Sequence, residues 1–226
     1  ILNKKLRSFL TVFGIVIGIG AISFLLSFGL GIQLLVTDQV IGENSIKTID
    51  VTSTNSKVIK LDNTARNKLA ELPHVKSIGV QYQFPAVLSI GGGEIDTAAY
   101  GIDQTFQSLS QLEIIEGRLL KNDDNKSVVI SKSALDAIGI QDAKTAIGKS
   151  VKLSIPLQIY DEKTKDIKDK FQIVGVVNAG ESREVFLPSG IFDVAGVSSY
   201  KLLKIIADDT SNIPNLRKQV ESRSFI

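Results

Sequence analysis

Ser8 to Thr37 reads SFLTVFGIVIGIGAISFLLSFGLGIQLLVT, thirty consecutive positions without a charged side chain. About 20 apolar residues cross a hydrocarbon core of roughly 30 Å, and the window Phe9 to Phe28 meets that requirement. A secretory signal peptide has a shorter apolar region, and a buried helix of a soluble protein this long with no polar face is rarer still, so the stretch reads as a transmembrane helix. At about 1.5 Å per residue the whole run spans roughly 45 Å as a helix, which exceeds one bilayer core and carries its far end out as a stalk. Lys4, Lys5 and Arg7 precede the run, whereas Asp38 and Glu43 are the first charges after it. The positive-inside bias therefore puts the N-terminus in the cytoplasm, with the three basic residues as a cytoplasmic anchor, and everything after about residue 41 outside. Gly14 and Gly18 form a G-x-x-x-G pair, and Ser23, Ser27 and Gly31 continue small residues at four-residue spacing, a pattern that admits close approach of another membrane helix.

Some 185 of the 226 residues lie beyond the membrane run, enough for one sizeable domain or two small ones. The net charge of +2, from 26 basic and 24 acidic residues interspersed along the chain, leaves no nucleic-acid footprint. Cysteine is absent, which removes disulfides and thiol catalysis from consideration. Methionine is absent even at position 1, so the sequence is expected to be an internal piece of a longer protein.

After the membrane run, Leu34, Leu35, Val40 and Ile41 keep one face apolar, which predicts that the helix continues as a stalk to Gly42. Ile46 to Thr54 reads as a strand. LDNTARNKLAEL places Leu61, Ala65, Leu69 and Leu72 on one helical face behind Asp62 as N-cap. Val75 to Ser89 is a strand in which Pro85 calls for an edge or a bulge, and Gly91 to Gly93 turns it into a returning strand, Glu94 to Asp103. Ser127 to Ser131 reads as a buried strand leading into a short helix that stops at Gly139. Ser150 to Tyr160 and Phe171 to Asn178 are strand-like, with DEKTKDIKDK (161–170) as a solvated hairpin tip. Val185 to Leu187 and Tyr200 to Ala207 are extended, and Ile213 to Val220 is a helix with Pro214 near its start. Strand-helix-strand units mixed with hairpins predict an α+β fold.

Catalytic chemistry is scarce. AKTAIGKS (143–150) ends like a phosphate-binding P-loop, but Ala143 stands at the first glycine position and a strand-like run comes after it where a helix is needed. His74 is the single histidine and has neither a cysteine nor a carboxylate cluster in sequence with which to form a zinc site or a triad. Asn122 to Asn125 lack the alternating spacing of a calcium loop and read as a turn. Glu113 and Glu116 lie in an extended stretch. The expectation is no catalytic residue, no metal and no cofactor in this chain.

Several stretches, in order, resemble MacB/FtsX-like ABC transporter permeases: NKKLRSFLTVFGIVIGIGAISFLLSFGLG (3–31), IGENSI (41–46), LPHVKSI (72–78), AYGID (99–103), EGRLL (116–120), AIGKSVKL (146–153), FQIVGVV (171–177) and VFLP (185–188). The resemblance implies a cytoplasmic lead-in, transmembrane helix and stalk over 1–41 and a MacB-like extracytoplasmic core domain over 42–226. Within that domain it implies a porter-like strand-helix-strand part, about 46–90 and 200–226, and a smaller, mostly β part, about 91–199. It further implies three more membrane helices after Ile226, a permease homodimer in membrane lipid, and a cytoplasmic ABC ATPase, fused or separate, that binds the ATP. An extracytoplasmic adaptor or hydrolase is a further implied partner. On this resemblance Lys4, Lys5 and Arg7 lie near the ATPase, Gly14, Gly18, Ser23 and Ser27 pack against another membrane helix, and Gln33 to Ile41 is a lever for mechanotransmission. The alternative class is a single-pass, membrane-anchored binding or regulatory module without transport, such as a cell-wall hydrolase regulator or sensor.

Overall fold

A computed structural model describes residues 2–40, 47–52 and 60–222. The chain divides into two compact units, residues 1–46 and 47–226. The first is a single helix, α1 (Leu2–Val40), which at about 1.5 Å per residue is roughly 58 Å long. Within it Val12–Gly31 is apolar enough to cross a membrane, with a mean hydropathy of 2.3. Phe9 stacks on Phe13 and Phe24 on Phe28, each pair one turn apart on the helix surface. Leu34, Leu35 and Val40 fall within α1, whereas Ile41 and the expected stop at Gly42 lie outside the described residues.

The second unit is an α+β domain built, among the described residues, on one sheet of nine strands. β1 (Thr48–Thr52) pairs antiparallel with β9 (Leu202–Ala207), and β9 pairs antiparallel with the first half of β2 (Val75–Ile90). α2 (Asn63–Ala70) and α7 (Ile213–Ser222) bury Leu69, Leu216 and Val220 in the same core as Ile49, Val51, Leu203 and Ile205 of these strands. Asp62 caps α2 as the sequence requires, its Oδ1 accepting from the Ala65 amide at 2.8 Å.

The remaining strands close a ring. The second half of β2 pairs with β3 (Gly93–Ile102), β3 with β8 (Glu184–Pro188), β8 with β5 (Ser127–Ser131), β5 with β7 (Ile167–Asn178), β7 with β6 (Ser150–Ile155), and β6 returns to β2 at Val87–Ser89. Two of these contacts, β3 with β8 and β5 with β7, are parallel. β4 (Glu113–Gly117) lies outside the ring along the last residues of β7. The ring is filled by Leu88, Ala99, Val128, Ile130, Leu153, Ile155, Ile173 and Val185, all buried. A smaller apolar cluster of Phe106, Leu120, Val129, Val177 and Phe186 packs separately. Because β2 is sixteen residues long, it serves both the open β1–β9 side and the closed ring.

Pro85 sits within β2 without interrupting it. Its partner Ala98 donates its amide to Arg183 O across β3, so the Pro85 nitrogen points away from β3. On that other side β9 pairs only as far as Gln81 and β6 only from Val87. The missing N–H therefore falls in a gap where β2 is locally an edge. Ile90 pairs with Gly93 across a two-residue turn in which Gly91 and Gly92 both take positive φ, +58° and +90°, as the primed hairpin turns require.

Two expectations are corrected, and two short helices are added. The charged tip is shorter than 161–170, because Ile167 is buried opposite Ile155 and the strand starts there. Residues Gln104–Leu109 form a helix, α3, capped by Asp103, and Gly190–Val194 form another, α6. Both are too short for a period-3.6 pattern to be read from sequence. Ser150–Ile155 ends its strand at Pro156, so Leu157 to Tyr160 are not strand. The remaining helices, α4 (Lys132–Ala137) and α5 (Ala143–Ala146), follow β5 and precede β6.

Candidate functional site

On a helix of 3.6 residues per turn, Gly14 and Gly18 lie about 40° apart, whereas Ser23, Ser27 and Gly31 lie about 180–260° around the axis from Gly14. The small residues of α1 thus form two stripes on different faces rather than one. A Cβ built on Gly14, Gly18 or Gly31 meets nothing within 4 Å. Lys4, Lys5 and Arg7 fall in the first turns of the same helix.

The P-loop look-alike is a structural turn. Ala143–Ala146 are α5, Gly148 turns the chain, and Ser150 opens β6, so the order is helix, turn, strand, the reverse of what a phosphate loop needs. The Gly148 amide is already bonded to Ile173 O at 2.8 Å.

His74 follows α2 at a positive φ of 71°, and its Nδ1 lies 3.0 Å from Asp208 Oδ2. Asn212 Nδ2 donates to the other oxygen of Asp208 at 2.9 Å. An Nδ1–H tautomer of His74 donates to that carboxylate. Asn212 first, and His74 second, hold the Asp208 carboxyl below its usual range. The group ties the turn after α2 to the end of β9; among the described residues no set of three His, Cys, Asp or Glu side chains is disposed to hold a metal ion.

Two polar groups that sequence reasoning passed over organise the domain. Arg118 forks onto Asp124, Nη1 to Oδ2 at 2.5 Å and Nη2 to Oδ1 at 2.9 Å. Asp124 also accepts from the Lys121 amide at 2.8 Å and from Ser127 Oγ at 3.1 Å. The Arg118 hydrogen bonds are the main cause that lowers the Asp124 carboxyl to about 2. This one carboxylate orders the NDDN turn and fixes the approach to β5.

The second group joins the ring to the β1–β9 side. Tyr82, 1 % exposed, donates its hydroxyl to Asp193 Oδ1 at 2.6 Å, which ties β2 to α6. Its ring lies 5.3 Å from Phe192 and 4.9 Å from Tyr200, while Phe84 lies 5.8 Å from Phe192 and 5.6 Å from Tyr160. Tyr200 donates in turn to Asn63 Oδ1 at the start of α2. Burial, with the bond to Asp193 second, pushes the Tyr82 hydroxyl far above its ordinary range. A signal existed in the sequence, since aromatic residues are scarce at 6 % and these five would have repaid attention as a set.

A long helix apolar enough to cross a membrane, followed by a mixed α+β domain, fits a membrane protein with an attached extracytoplasmic domain. The chain belongs to the family of MacB-like periplasmic core domains, whose model matches residues 8–223, and hence to the ABC transporter permeases that carry that domain. The macrolide export ATP-binding/permease protein MacB of Bartonella quintana (strain Toulouse) is 27% identical over 169 residues, covering 69% of this chain and 25% of that protein. MacB of Aggregatibacter actinomycetemcomitans is 27% identical over 191 residues, 79% of this chain and 27% of that protein. The chain thus spans about a quarter of the length of the curated relatives it matches. Among solved structures, the periplasmic region of MacB from Actinobacillus actinomycetemcomitans superposes with a TM-score of 0.58 at 22% identity, over 80% of this chain and 85% of that one. The extracellular domain of the ABC-type transporter YknZ from Gram-positive bacteria gives 0.60 at 15% identity, over 79% and 96%. Both establish the shared fold.

Proposed function

We propose that this chain supplies the first membrane helix and the extracytoplasmic domain of a permease that couples ATP hydrolysis to movement of that domain. The observation that carries this reading is the family match itself, which runs without a break from the apolar helix through the domain, residues 8–223. ATP binds a cytoplasmic ABC ATPase, fused or separate; this chain contributes no catalytic residue and holds no cofactor. Basic residues Lys4, Lys5 and Arg7 before the span and acidic Asp38 and Glu43 after it support a cytoplasmic N-terminus and an outer domain. Two permeases dimerise in the membrane, and the domain's motion serves export, lipoprotein release or activation of an adaptor or hydrolase.

The test uses the absence of native cysteine in this chain. Single cysteines at Lys5 and Gly92 are expected to differ in intact cells, with only the latter labelled by a membrane-impermeant maleimide. Purification with the neighbouring ATPase is expected to give ATP turnover that requires the full permease. A chain that labels at both sites, or that recruits no ATPase, contradicts the reading and leaves a tethered regulatory module.

A further inference from the structure

A groove of about 530 Å³ runs along the first half of β7, walled on its far side by α6. β7 is paired with β6 over Ile167–Gln172, but β5 begins its pairing only at Gln172. The Gln172 amide donates to Lys126 O at 2.8 Å, on the β5 side, and the Ile173 amide to Lys149 O at 2.9 Å, on the β6 side. By strand alternation the backbone groups of Lys168 and Lys170 face the β5 side, where no strand meets them. The gap is bounded at one end by the Gln172–Lys126 bond and at the other by the Lys165 amide, which donates to Ala195 O at 2.8 Å. About five residues of extended chain, roughly 17 Å, fit between these ends.

The groove's lining is apolar below and carries three lysines, Lys126, Lys165 and Lys168, against two carboxylates, Asp166 beside Lys168 and Asp169 on Lys126. Phe171 and Ile167 are buried at its floor, Ile191 lines the wall, and Val194 stands 88 % exposed on the lip. Lys165 marks one end and Lys126 the other. Asp169 bonds the Lys126 ammonium with Oδ2 and takes the Lys170 amide on Oδ1 at 2.7 Å. An oxygen acceptor thus already occupies the position that an added strand's carbonyl or carboxylate would take, and it comes from the chain itself. An edge guarded by its own carboxylate stays closed to indiscriminate pairing.

We propose that this groove binds an extended peptide segment by strand addition, apolar at alternate positions and acidic at its ends, with Asp169 displaced when it docks. Backbone bonds to Lys168 and Lys170 supply affinity, and the Val194–Ile191 wall and the two lysines supply selectivity. The probe is the synthetic peptide acetyl-Glu-Val-Ile-Val-Glu-amide, labelled with a fluorophore and titrated against the whole chain in detergent. Saturable binding with a Kd of about 10 μM is expected, with slowed amide exchange at Lys168 and Lys170. Lys168→Pro removes the donor and is expected to weaken binding at least tenfold; Val194→Asp, a change at an exposed position that leaves folding intact, does the same. Asp169→Ala is expected to tighten it several-fold. Absence of saturable binding, or binding indifferent to both Val194→Asp and Asp169→Ala, overturns the proposal.

Discussion

The Tyr82 hydroxyl donates to Asp193 Oδ1 at 2.6 Å, and this bond pins the short helix α6 to the longest strand of the sheet. Tyr82→Phe keeps the ring against Phe192 and Tyr200 and removes only the bond. It is expected to cost about 1–2 kcal/mol, less than a fully buried charged bond because Asp193 can regain water. Urea denaturation at neutral pH reads the difference.

The same residue sets a limit in base. Its folded-state pKa is raised by burial, so the unfolded chain loses this proton first as pH increases. The stabilising contribution is complete below the ordinary tyrosine value near 10 and falls as pH rises beyond it. Thermal midpoints between pH 8 and 11 are expected to drop more steeply for the parent chain than for Tyr82→Phe; parallel slopes contradict the assignment.

Asp124 gives the opposite sign at the acid end. Arg118 lowers its carboxyl to about 2, so its contribution is present above the ordinary carboxylate range near 4 and is lost as pH falls from there towards 2. Asp124→Asn is expected to cost about 1–3 kcal/mol at pH 7, because it weakens the Arg118 fork while keeping the side chain's size. The cost is expected to shrink by pH 2.

Gly101 lies on β3 beneath α6, where an added Cβ would come within 2.3 Å of the Phe192 ring. Phe192 is itself fully buried, so the ring has no room to retreat. Gly101→Ala is expected to destabilise the domain by about 1–3 kcal/mol through overpacking. A thermal midpoint equal to that of the parent would show that α6 is free to move.

The two stripes of small residues on α1 predict independent effects in the assembled transporter. Gly14→Leu and Ser27→Leu change faces about 140° apart on the helix. Their effects on the yield of assembled complex, measured by size exclusion in detergent, are expected to add rather than overlap. A double variant no worse than either single one would mean that only one face is packed.

Much of this architecture was legible because it rests on local chemistry. The uncharged run of α1, the Asp62 cap, the glycine hairpin and the SVVIS strand each carry their own signal over a few residues. Strand pairing does not. Nothing local in Val87–Ser89 says that β6 will close the ring there, and the parallel contact of β3 with β8 joins residues more than eighty positions apart. The helices α3 and α6 were missed because six and five residues carry too little periodicity. The Tyr82–Asp193 and Arg118–Asp124 contacts escaped for different reasons, one being a long-range meeting of side chains and the other a turn whose composition reads simply as polar.

Nucleotide turnover is proposed to move the outer domain, and the hairpin tip at Gly92 offers the most direct view of that motion. A spin label on Gly92→Cys in the assembled dimer of full-length permease and ATPase gives one distance between protomers by electron resonance. That distance is expected to change by at least about 5 Å between nucleotide-free and ATP-trapped states, the scale of a one-turn helix displacement. An identical distance distribution in both states would contradict the coupling proposed for this chain.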